Sequence, residues 1–165
     1  MRSVVVYYSF EGNVRMLAQQ IARTSGAELV ELSDLEEPKT KGFMKFVQGG
    51  GKAMLGRNTR LGVYDVQAVQ AAEVVFIGTP VWAFTCSPAV RTFLAEMSLQ
   101  GKKLAFFCAS GGSKGKTFQH MRELAGPSNE VLGEIEVVEP LKREAQQCSE
   151  RIAVWTSRML DKAQA

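Results

Sequence analysis

The amino-terminal junction constrains this chain most. Residues Ser3 to Ser9 read SVVVYYS, an apolar run of β-branched and aromatic residues suited to a buried strand. Ser9-Phe10-Glu11-Gly12-Asn13-Val14 is a short, glycine-containing turn. Val14, Leu17, Ala18 and Ile21 then recur at i, i+3, i+4 and i+7, the stripe of an amphipathic helix. A strand that passes through a tight turn straight into a helix aims backbone N–H groups and the positive end of a helix dipole at one point. Such a point suits phosphate.

Further apolar strand-like runs recur at Leu29–Leu32, Val74–Ile77, Leu104–Cys108 and, less cleanly, Ile135–Val138. Helical patterns separate them. Ser87-Pro88 supplies an N-cap and a proline at the first helical position, with Val90, Phe93, Leu94 and Met97 as the stripe behind. Thr117 to Leu124 is a shorter helix. The last helix carries Leu141, Ala145, Cys148, Ile152, Trp155 and Met159, and Glu139-Pro140 marks its expected start. Alternating strands and helices predict an α/β fold, a parallel sheet of five strands covered on both faces and joined by right-handed crossovers. With 165 residues, the chain is expected to form a single domain over 1–165. Thr40 to Arg60, with Phe43, Phe46, Val47 and the Gly49-Gly50-Gly51 break, does not fit this alternation. It is expected to be an insertion, about 40–60, near the carboxyl edge of the sheet.

No apolar run approaches the roughly 18 residues of a membrane span. The first strand is too short for the apolar region of a secretory leader. Three cysteines, Cys86, Cys108 and Cys148, have no metal-binding spacing and read as reduced thiols, so a cytoplasmic protein is expected. A net charge of +3 with no binding motif argues against nucleic acid. The charge is uneven, however. Lys39, Lys41, Lys45, Lys52, Arg57 and Arg60 follow one another with no acidic residue between them, a stretch that could steer an acidic redox partner or simply be a solvated face.

Ligands of open α/β sheets lie outside the carboxyl ends of the strands, at the point where strand order reverses. Three loops therefore matter: SFEGNV (Ser9–Val14), TPVWAFTCS (Thr79–Ser87) and ASGGSKG (Ala109–Gly115). The second offers two large aromatics, Trp82 and Phe84. A loop tryptophan either stacks on a planar ligand ring or packs against the neighbouring helix. The third offers Gly111 and Gly112, which let a flat group approach the backbone. Cys86 lies close to a helix start, which could lower its pKa.

YYSFEGNV, GTPVWAFTCSPAVRTFL (Gly78–Leu94) and CASGGSKGKTF (Cys108–Phe118) together resemble the flavodoxin-like FMN-binding proteins. The resemblance implies a three-layer, doubly wound sheet of strand order 2-1-3-4-5, with FMN as cofactor. It implies that Ser9, Glu11, Gly12, Asn13 and Val14 hold the ribityl phosphate. Thr79, Pro80, Val81, Trp82, Ala83 and Phe84, with Ser110, Gly111, Gly112 and Gly115, would enclose the isoalloxazine. The implied function is electron transfer with a redox partner protein; the alternative is an NAD(P)H-dependent quinone or flavin reductase, as monomer or dimer. In either case the flavin would perform the chemistry, without a catalytic side chain or a metal. Glu11 and Val14 stand where the family loop carries hydroxyls, which implies weaker phosphate binding by one or two hydrogen bonds of about 0.5–1.5 kcal/mol each. Lys114, if near the ring, would make the flavin less reducing. His120, the only histidine, has no partner at catalytic spacing. Ser110 to Thr117 nearly matches a P-loop but lacks its first glycine and follows the wrong strand.

Overall fold

The computed structural model describes residues 1–37 and 56–165. Strand β1 (Ser3–Tyr7) runs inside the sheet and pairs in parallel with β2 (Glu28–Glu31) and β3 (Val74–Trp82). Outward from β3 follow β5 (Lys103–Ser110) and β6 (Glu130–Val138), also parallel, giving the order β2-β1-β3-β5-β6. Counting the parallel strands alone, this is the expected 2-1-3-4-5. The additional strand, β4 (Thr85–Cys86), folds back antiparallel on the end of β3.

Side-chain alternation along the strands divides the core in two. Val4, Val6, Val75, Ile77, Leu104 and Phe106 face α2 (Val66–Ala71), α3 (Pro88–Glu96) and α4 (Thr117–Ala125). Val5, Tyr7, Phe76, Ala105 and Phe107 face α1 (Asn13–Ser25) and α5 (Ala145–Gln164). Apolar side chains on both strand faces explain why the parallel strands read as continuous apolar runs rather than alternating ones. At Gly78 a β-carbon would lie 2.1 Å from the Phe107 ring, so glycine there lets the ring cross the neighbouring strand.

The helix signals act as the sequence indicates. Ser87 Oγ accepts from the Val90 N–H, with Pro88 as the first residue of α3. Helix α1 ends at Gly26 with φ +70, whose N–H donates to Ala22 O.

Two expectations are corrected. Thr79 to Ser87 is not one loop: β3 continues to Trp82, and only Ala83 and Phe84 separate it from β4. These two residues have φ 48 and φ 63, the signs of a type I′ turn, normally built from Asn and Gly. The final helix begins at Ala145 rather than at Pro140. Glu139 has φ 45, and its carbonyl accepts from the N–H groups of Lys142 and Arg143, so the chain makes a turn before α5.

Residues 38–55 lie outside the described residues, and with them most of the expected insertion: Phe43, Phe46, Val47, the triple glycine and four of the six basic residues, Lys39, Lys41, Lys45 and Lys52. Its carboxyl end is tied down. Arg60 O accepts from Leu35 N–H, Ser33 O accepts from Gly62 N–H, and Asp34 bridges Leu61 antiparallel. Thr59 N–H donates to Thr92 Oγ1 of α3 at 2.7 Å.

Candidate functional site

The carboxyl ends of β1, β3 and β5 open onto a crevice of about 270 Å³. One wall is the β1–α1 turn, with Ser9, Phe10, Glu11, Asn13 and Val14. The second is Pro80, Val81 and Trp82 at the end of β3. The third is Ala109, Ser110 and Gly111 at the end of β5. Three stretches distant in sequence thus converge because parallel strands all deliver their carboxyl ends to one edge.

At the first wall, Gly12 holds φ +96 as the cap of α1. Ser9 Oγ accepts from the N–H groups of Gly12 and Arg15, at 3.2 and 3.1 Å. It therefore shapes the turn and satisfies the third residue of the helix. Asn13 and Val14, the first two residues of α1, have no intrahelical acceptor for their N–H groups, as in any helix, and both line the crevice. Glu11 is exposed, so its carboxylate is free to face water.

At the second wall, Trp82 is only 7% exposed and packs edge-on against Tyr8 and Phe10, with ring centroids 5.6 and 5.7 Å away. It belongs to the core and lines the crevice at once, packed on the β1 end and its turn. Thr79 is fully buried: its Oγ1 accepts from Ser87 N–H and donates to Pro80 O, clasping β3 to the start of α3. Ala83 and Phe84 stand outside the crevice lining, and Phe84 is 67% exposed. Thr85 Oγ1 is 2.7 Å from His120 Nδ1, so the single histidine anchors the hairpin to α4.

At the third wall, Ser110 Oγ donates to Glu136 and accepts from Gly112 N–H. A β-carbon at Gly111 or Gly112 would meet nothing within 4 Å, so the backbone there is bare and approachable. Gly115 has another task. Its φ is +52, and a β-carbon there would lie 2.5 Å from that of Phe84. With Lys116 N–H donating to Phe84 O, it locks the hairpin to the third loop. Lys114 is exposed and lies outside the crevice lining.

Glu139 and Lys142 also line the crevice, a placement that no motif in the chain announces. They come from the turn after β6, read as the first turn of a helix. Lys142 Nζ is 2.9 Å from Glu139 Oε1. The pair lowers the Glu139 pKa and raises that of Lys142, through their hydrogen bond first and their charges second. Arg143 adds to the lowering at Glu139.

The two buried thiols are not poised for chemistry. Burial pushes Cys86 up, against the expectation that a helix start would activate it. Cys108 is also pushed up, by burial and then by Glu136. Burial raises Tyr8 as well, aided by its hydrogen bond to Glu37. Among the described residues no helix is long and apolar enough to cross a membrane.

A doubly wound sheet with a crevice of mixed apolar and polar lining at its switch point, one end of it a helix start, defines a flavodoxin-like architecture. The flavodoxin family profile matches residues 2–143, and the chain belongs to that family. Among solved structures it is similar to a flavoprotein from Bacteroides eggerthii, with 20% identity over 96% of this chain and 98% of that one, TM-score 0.75. A flavoprotein from Lactobacillus acidophilus, solved in complex with FMN, matches with 21% identity over 90% and 98% of the two chains, TM-score 0.65. A WrbA-like flavodoxin from Agrobacterium tumefaciens matches with 18% identity over 99% and 97%, TM-score 0.67. Among curated proteins the sequence has no match.

Proposed function

We propose that this chain binds FMN in the crevice and transfers electrons between the flavin and a redox partner protein. One observation carries the reading: the crevice runs without interruption from the uncapped start of α1 to the bare backbone at Gly111 and the edge of Trp82. That shape matches a ligand with an anionic tail and a flat head. Membership of the flavodoxin family and the FMN bound by the Lactobacillus acidophilus neighbour support the same ligand.

The N–H groups of Asn13 and Val14 would hold the phosphate, on a turn kept in shape by Ser9 and Gly12. Gly111 and Gly112 would lie against the ring system, with Trp82 in the facing wall of the crevice. Bound FMN supplies the redox chemistry, one or two electrons at a time. The protein orients it and shields it from water through Tyr8, Phe10 and Trp82. Cys86 and Cys108, buried and held protonated, take no part.

The test is titration of apo-protein with FMN, followed by photoreduction with NADPH oxidation assayed in parallel. Saturable binding and reduction in two separate one-electron steps, without NADPH turnover, support the carrier. Rapid NADPH turnover with a quinone acceptor refutes it in favour of a reductase. Failure to bind FMN refutes both.

A further inference from the structure

We infer that Lys142 is a phosphate-recognition residue for this site, held in reserve by Glu139 until the ligand arrives. The inference rests on the FMN reading above and extends it to a residue outside the three ligand loops.

The turn carrying Lys142 is fixed to the β1–α1 wall. Leu141 N–H donates to Asn13 Oδ1 at 3.1 Å, joining this turn to the first residue of α1. Leu141 Cδ1 also lies 3.5 Å from where a β-carbon would stand on Gly12. The Lys142 side chain consequently borders the same crevice as Ser9, Glu11 and Asn13, and it feels the charge of Glu11.

A cation at that end of the crevice favours an anionic ligand. Glu139 lines that end, the exposed Glu11 borders it, and an incoming phosphate adds a further charge of about −2. Backbone N–H groups and the helix dipole offset only part of this repulsion. Lys142 is the lysine that borders this end among the described residues. Its side chain is 77% exposed and long enough to swing. An exposed pair with a single carboxylate is weakly held, while a phosphate dianion attracts the ammonium more strongly. Exchange of Glu139 for phosphate is therefore downhill, and Arg143 remains beside Glu139 to take up its charge. Glu139 sits at φ 45, a conformation residues with a β-carbon seldom adopt, and such positions cluster where ligands are clamped.

The consequence is selectivity for the phosphorylated flavin over riboflavin. Wild-type, Lys142→Met, Lys142→Arg and Glu139→Gln apo-proteins are titrated with FMN and with riboflavin at low and high salt. Lys142→Met is expected to weaken FMN binding about tenfold, the scale of one charge-assisted contact, and riboflavin less than twofold. Its FMN affinity should also depend less on salt. Lys142→Arg should keep most of the FMN affinity, and Glu139→Gln should raise it by releasing the lysine. Riboflavin affinity reports whether the crevice is intact in each variant. Equal weakening of FMN and riboflavin in Lys142→Met, or an unchanged FMN affinity, overturns the role of Lys142 while leaving the flavin site standing. A wild-type protein that binds neither flavin overturns the site itself and this inference with it.

Discussion

The β3–β4 turn offers a sharp test of backbone strain, because its two central residues both carry side chains at positive φ. Phe84 holds φ 63 with two thirds of its surface exposed. Replacing it by alanine or by glycine removes the same ring, so the difference between the two variants isolates the backbone. In ordinary extended structure glycine is less stable than alanine by roughly 0.5–1 kcal/mol. In the left-handed region a β-carbon costs roughly 1–2 kcal/mol, so the order should reverse. Phe84→Gly is therefore expected to exceed Phe84→Ala by about 1 kcal/mol, which at this chain length is about 2–4 °C in melting temperature. Thermal and urea unfolding of the two apo-proteins provide the measurement. A Phe84→Gly variant less stable than Phe84→Ala refutes the strained turn and the hairpin geometry built on it.

Two further outcomes follow from the core. Gly78→Ala drives a methyl into the Phe107 ring and should lower stability by about 2–3 kcal/mol in urea unfolding, with partial recovery when Phe107→Leu is added. Stability should also fall on the alkaline side: Cys86, Cys108 and Tyr8 have raised pKa values in the folded state. The folded protein then binds more protons than the unfolded chain once the pH passes the ordinary thiol and phenol values, about 8.5 and 10. Stability from these groups is full below those values and declines above them. Melting curves from pH 7 to pH 11 check this, and Cys108→Ala should flatten the decline between about pH 8.5 and 10.

The parallel strands were legible because both their faces are covered, leaving uninterrupted apolar runs at Val4–Tyr8 and Leu104–Cys108. Local capping chemistry at Ser87-Pro88 was equally readable. The β3–β4 hairpin was not. Proline at 80 disguised the end of a strand, where Pro80 still pairs with Ala109, and Ala83-Phe84 carries none of the Asn-Gly signature of its turn type. The start of α5 was misplaced because Leu141 and Ala145 share the helical spacing of the residues beyond them. Leu141 is half-exposed and serves the turn that grips Asn13. Of the site, the sequence disclosed the three loops that each follow a strand. Glu139 and Lys142 escaped notice since only the assembled sheet carries the end of β6 to the start of α1. Thr79 and Gly115 are polar or glycine residues in the right loops, yet both brace the scaffold instead of facing the crevice.

The paired backbone at Ser33–Leu35 and Arg60–Gly62 acts as a clasp. It holds residues 33–35 and 60–62 side by side, which closes a loop between them. Lengthening a closed loop adds only a slowly growing entropy cost. The parallel strands keep their register regardless. A scaffold clasped in this way accepts changes of length at that point while the crevice at the carboxyl ends of β1, β3 and β5 stays the same.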